Sequence, residues 1–148
     1  MKIQKFLFIF FVMLTFVGFS QNTSTYRPER DKIHDLVHTK LKVDFNFAKK
    51  QLNGEAWITA KPHFYATHKI TLDAKAMIIH NVAMNNQKLR YNYDNFKLII
   101  NLPKEYKKDE EFTIYIKYTA RPEKVKQKGS AAITAAKGLY FINADGLD

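Results

Sequence analysis

The 148-residue chain has no cysteine, four prolines, five glycines and a single tryptophan. Without cysteine it can form no disulfide, present no thiolate nucleophile and offer no sulfur ligand to a metal. Its stability must therefore come from a hydrophobic core. There is no G-x-S-x-G elbow, P-loop or dinucleotide fingerprint, so the common signatures of serine hydrolases, nucleotide hydrolases and nicotinamide enzymes are missing. Internal repeats are absent too. Acidic residues are few, 14 Asp and Glu against 24 Lys and Arg, for a formal charge of +10. Such a balance raises nucleic acid or an anionic surface as partners. The lysines, however, are spread over turns and alternating positions, with only Lys124, Lys126 and Lys128 grouped. Solvated strand faces account for that distribution better.

What is present begins with an export signature. Lys2 and Lys5 form a short positive segment, residues 6–17 are almost unbrokenly apolar, and Gly18-Phe19-Ser20 supplies small residues at a cleavage site. A membrane anchor is the rival reading, but the apolar run is shorter than the roughly 20 residues of a spanning helix. We expect residues 1–20 to be a signal peptide, removed after export to a periplasmic or secreted location. Loss of Lys2 and Lys5 would lower the charge to +8. Residues 21–32 form a polar leader. Its Asn22-Thr23-Ser24 matches a glycosylation acceptor, a motif short enough to recur by chance.

From residue 33 onward the chain alternates. Val37, Thr39, Leu41, Val43, Phe45 and Phe47 occupy odd positions, with His38, Lys40, Lys42, Asp44 and Asn46 between them. A turn at Ala48-Lys49-Lys50-Gln51 leads to Leu52, Gly54, Ala56, Ile58 and Ala60 on a second alternating run. A period of two means one buried and one wet face, as in an antiparallel hairpin. Further strands are expected at 69–73, 77–84, 89–93, 96–102, 112–119 and 138–142, with turns at Asn85-Asn86-Gln87 and Asp94-Asn95. A helical turn is conceivable only near residues 131–136. Turn signals every 8 to 12 residues or so indicate an all-β, antiparallel sandwich or saddle-like domain. Its expected core includes Val37, Leu41, Val43, Ile58, Leu72, Ile114 and Ile116.

His34-Asp35-Leu36-Val37-His38 has the spacing of the zincin motif H-E-x-x-H. That motif works on a helix, where residues four apart share a face and reach one zinc. On a strand the two histidines would stand roughly 13 Å apart, so no shared ion is expected. His63, His68 and His80 are scattered. Asp109, Glu110 and Glu111 resemble a solvated turn more than an acid–base pair. Trp57, Tyr65, Tyr91 and Tyr93 could build a sugar-binding platform, although strand aromatics more often serve cross-strand packing.

The wording of several strands adds a resemblance. Asp35-Leu36-Val37-His38-Thr39-Lys40-Leu41 through Trp57-Ile58-Thr59-Ala60-Lys61-Pro62, then Thr71-Leu72-Asp73-Ala74-Lys75, Phe112-Thr113-Ile114-Tyr115-Ile116-Lys117-Tyr118 with Pro122, and Gly138-Leu139-Tyr140-Phe141 carry it. Their order and spacing, over residues 26–142, resemble the β-rich N-terminal domain of M1-family zinc aminopeptidases. The resemblance implies a separate catalytic domain holding G-x-M-E-N, H-E-x-x-H and a distant glutamate, with zinc as cofactor and peptides as substrates. None of those motifs occurs in this sequence. No catalytic, metal or cofactor-binding residue is therefore carried over to it. The expectation is a non-catalytic domain, 33–148, incomplete at its C-terminus and inactive alone, whose partner is the catalytic domain of the same parent chain. The alternative is a free-standing exported β-sandwich that binds a peptide, glycan or protein.

Overall fold

The computed structural model describes residues 32–125, 137–143 and 146, all within the unit Lys32–Asp148. The expected signal peptide, most of the leader and the turn near residues 131–136 lie outside the described residues. Eight strands follow in order: β1 (His34–Asn46), β2 (Gln51–Pro62), β3 (Thr67–Asp73), β4 (Met77–Met84), β5 (Gln87–Lys88), β6 (Tyr91–Tyr93), β7 (Lys97–Tyr106) and β8 (Phe112–Ala120). A 3-10 turn, Pro122–Lys124, comes after β8. The pairings are antiparallel and make two sheets, β1-β2-β8-β4-β5 and β3-β7-β6.

The turns form where the sequence supplies the chemistry. Asn46 Oδ1 accepts from the Lys49 amide at 3.0 Å, and Lys50 takes a φ of 51° to close the β1–β2 hairpin. Asn85 and Asn86, at φ 49° and 64°, join β4 to β5. Asparagine tolerates that left-handed backbone in two-residue hairpin loops. Asp94 Oδ1 accepts from the amides of Phe96 and Lys97 at 2.8 and 2.6 Å. These two donors hold the Asp94 carboxyl below its ordinary range.

The sheets meet through one buried cluster. Phe112, Ile114 and Ile116 from β8, Leu98, Ile100 and Leu102 from β7, Ile70 from β3, Val82 and Met84 from β4, and Ala60 from β2 belong to it. Between the inward residues of β8, Thr113 and Lys117 point to solvent. Tyr93 closes one end of the cluster. Its hydroxyl donates to Ala74 O and accepts from the Met77 amide, both at 2.8 Å.

The expected core is confirmed on the central strands and corrected at the edge. Ile114 and Ile116 are buried, and Ile58 and Leu72 pack partly buried against the same cluster. Val37, Leu41 and Val43 instead retain 45, 57 and 42% of their accessible surface. They lie on β1, the outermost strand of its sheet. The buried cluster contains no β1 residue, so the three-stranded sheet does not cover this edge. Of the strand expected at 89–93 only Tyr91–Tyr93 forms, as β6 in the three-stranded sheet, while β5 just before it belongs to the other sheet. The expected strand at 138–142 is not one either. Gly138 has a φ of 76°, and the segment is held by side chains, with Lys137 paired to Glu123 at 2.7 Å. Beyond it, the Gly146 amide donates to Asn143 O at 3.0 Å.

Ile114→Ala should cost about 2–5 kcal/mol in urea unfolding, since it empties a packed core site. Leu41→Ala in the same chain should stay within about 0.5 kcal/mol, the range of surface positions. Equal costs would mean that β1 is covered in solution.

Candidate functional site: the apolar edge of the five-stranded sheet

Pairing with β2 sets which side of the sheet the inner row of β1 joins, but not whether that side is covered. Thr39, Leu41, Val43 and Phe45 lie opposite Ile58, Ala56, Gly54 and Leu52 of β2, so they share the core-facing side of the sheet. Small residues on β2 make room for something other than β1. A Cβ on Gly54 would come within 2.5 Å of the Tyr118 ring, because that ring lies across the glycine. Burial there raises the Tyr118 phenol above its ordinary pKa. Beyond this ring Leu41, Val43, Phe45 and Phe47 stay exposed. Phe45 and Phe47 stand 6.2 Å apart, and Phe141 meets them edge-on at 6.4 and 5.7 Å. Among the described residues no strand pairs with the free side of β1. Lys40 and Lys42 on its outer face are the kind of charge that protects an open edge from random pairing. An apolar row on an open edge is the mark of an interface.

The histidines of the zincin-like spacing do not converge. Leu36 pairs with Ala60 but His38 pairs with Thr59, so Val37 is an extra, bulged residue. In a regular strand residues four apart share a face; one bulge puts them on opposite faces. His34 therefore turns inward and stands edge-on to Phe112 at 6.2 Å, its Nε2 buried without a partner. Burial lowers its pKa, opposed by a backbone hydrogen bond at Lys69. His38 faces out. Asp35, between them, binds neither. It pairs with Lys32 at 2.6 Å and with His63 Nδ1 at 2.7 Å. Those two partners hold the Asp35 carboxyl at about 2, against an ordinary 3.8. His63 lies 28 residues from Asp35 in sequence, and no local pattern signals the pair.

The other candidates resolve into structure. His80 Nε2 meets Thr119 Oγ1 at 2.8 Å from a bulge in β4, and His68 sits where the β3 register shifts. Asp109 pairs with Lys61 at 3.0 Å, while Glu110 binds the Lys104 ammonium and the Lys107 amide. The acidic cluster is thus a cross-linked turn. Tyr65 is exposed beside Phe64, their ring centroids 6.5 Å apart, Tyr91 is exposed, and Tyr93 serves the core. Among the described residues no three His, Asp or Glu side chains could hold a metal together. These residues do not fit a zinc centre.

The family model for the peptidase M1 N-terminal domain matches residues 31–134, and the chain belongs to that family. Among solved structures it superimposes on a two-domain M1 zinc metallopeptidase bound to L-arginine, with a TM-score of 0.60 and 19% identity over 68% of this chain and 23% of that one. The M1 zinc metallopeptidase of Deinococcus radiodurans gives 0.54 and 20% over 58% and 20%. Leukotriene A4 hydrolase from Saccharomyces cerevisiae gives 0.55 and 18% over 68% and 18%. At such identities these likenesses show the fold. The chain spans less than a quarter of the length of each of these proteins.

The Asp35 pair should be visible in acid. A carboxyl with a depressed folded pKa stabilises the fold above its unfolded value, and that contribution disappears as pH falls through the folded one. Here the window runs from 3.8 down to about 2. Asp35→Asn should flatten the acid limb of the stability profile within that window, read as the urea midpoint against pH. An unchanged limb would mean that the pair does not form.

Proposed function

We propose that this chain is the leading β domain of an exported M1-type metallo-aminopeptidase, a scaffold that contributes no catalytic group of its own. The family match over residues 31–134 carries this reading. The reaction of the parent would be zinc-dependent removal of N-terminal residues from peptides. The chemistry would reside in a further domain, since the described residues offer no zinc ligand set. Zinc there would polarise the scissile carbonyl and activate water.

The open row of Leu41, Val43, Phe45 and Phe47 has a natural occupant in this reading: the remainder of the parent chain. Each compared relative extends far beyond the part matched here, so a longer chain would supply the surface that closes β1. A charge placed on this row should then discriminate. Phe45→Glu should leave the unfolding midpoint of the 148-residue chain nearly unchanged, yet lower both the midpoint and the peptidase activity of the longer parent. An equal response in both would place the row inside the domain instead.

Export rests on Lys2, Lys5, the apolar stretch at 6–17 and Gly18-Phe19-Ser20. Mass spectrometry of the mature protein should find Gln21 at its N-terminus. A cytosolic protein retaining Met1 would overturn export without touching the family assignment. The gene beyond the Asp148 codon should encode G-x-M-E-N followed by H-E-x-x-H. The purified 148-residue chain should bind no stoichiometric zinc and cleave no aminoacyl substrate. One equivalent of zinc, lost on His38→Ala, would contradict the strand geometry of His34 and His38.

A further inference from the structure

The face of the five-stranded sheet turned away from the core carries a second concave surface, and the scaffold reading makes no use of it. Trp57 on β2 lies opposite Tyr115 on β8, with ring centroids 5.2 Å apart and planes inclined by 48°. Lys40 approaches the Trp57 ring at 5.3 Å. Both rings are partly exposed. They line a cleft of about 500 Å³ together with Glu55, Asn81, Asn86 and Lys88. Glu55 accepts a hydrogen bond from the Tyr115 hydroxyl, which helps to raise that phenol's pKa behind the larger effect of desolvation.

A second cleft of about 270 Å³ also includes Glu55. In it, His80 Nε2, Thr119 Oγ1 and Asn53 Oδ1 form a chain of 2.8 and 2.9 Å. Thr113 borders the first cleft and Thr119 the second. The two clefts share Glu55, and six strand residues at about 3.3 Å each place Thr113 and Thr119 roughly 20 Å apart along this groove-bearing face.

The backbone beneath the groove narrows the choice of polymer. β2 is paired with β1 and β8, and β8 with β2 and β4. With both sides of each central strand taken, an extended peptide cannot add as a further strand, which is how peptides gain most of their affinity for sheets. A sugar ring needs something different. Its axial C–H face packs on an aromatic ring, and its hydroxyls need carboxamides and carboxylates, which Asn81, Asn86 and Glu55 supply. Lys40, Lys42, Lys88 and Lys117 outnumber Asp44 and Glu55 on this surface, so sugars carrying carboxylates suit it best.

We propose that the outer face of the five-stranded sheet binds an acidic glycan, with Trp57 and Tyr115 as the stacking platform and Asn81, Asn86 and Glu55 as hydroxyl partners. The site is independent of the peptidase reading and requires no metal.

Affinity electrophoresis of the full mature protein in gels containing polygalacturonate tests it, with neutral dextran and single-stranded DNA as comparison matrices. The protein should be retarded by polygalacturonate more than by dextran. Trp57→Ala should weaken the interaction about tenfold, as expected for loss of one stacked ring. Since Trp57→Ala also removes a cross-strand packing partner, the double variant Asn81→Ala/Lys88→Ala serves as the second arm. It should weaken retardation with an unchanged unfolding midpoint. Absence of retardation by polygalacturonate overturns the proposal, as does retardation that survives both variants. Preference for DNA or for neutral dextran likewise overturns an acidic glycan as the ligand.

Discussion

The inward row of β8 is the constraint from which the rest of this domain follows. Phe112, Ile114 and Ile116 occupy the cluster shared by both sheets, and β8 is flanked by β2 and β4. Because successive side chains on a strand alternate between faces, placing Ile114 and Ile116 inside sends Tyr115 and Lys117 outside. Register then carries that choice to the neighbours: Ala56 and Ile58 follow the isoleucines inward, and Trp57 follows Tyr115 outward. The position of the outer aromatic pair is thus a consequence of core packing by the residues next to them in the chain.

Bulges are where this propagation is interrupted. The extra residue at Val37 reverses the facing of β1, so that His34 points inward and His38 outward. A similar shift lies between Ile79 and Asn81 on β4, and there His80 reaches the Thr119 hydroxyl. A bulge changes which face a side chain joins without changing its neighbours in sequence. The histidine spacing that invites a metal reading is dispersed by one such residue.

The sheet edge links the fold to the proposed scaffold role. The cluster ends at β2, and β1 carries its apolar row past the cover that the three-stranded sheet provides. Tyr118 leaning over Gly54 fills the space beside that row without covering it. A domain built this way holds together through its centre and presents its margin, which is what a scaffold docked against a larger body requires. The basic and aromatic outer face is a separate surface, on the opposite side of the same strands.

Alternation in 37–47, 52–60 and 112–118, with turn chemistry at Asn46, Asn85-Asn86 and Asp94-Asn95, was enough to read an antiparallel all-β domain from the sequence. These features act over two to four residues, so each carries its own signal. The buried state of Ile114 and Ile116 was legible for the same reason. The exposure of Leu41 and Val43 was not, because an apolar row looks identical whether or not another sheet lies over it. Nor was the pairing of Asp35 with His63, which depends on β1 and β2 ending side by side. The absence of a strand at residues 138–142 has the same origin, since a strand needs a partner ladder as well as an apolar pattern. The sequence by itself determined the periods, the turns and the family. Tertiary structure decided which faces are covered, because coverage is a property of what lies opposite a strand and not of the strand.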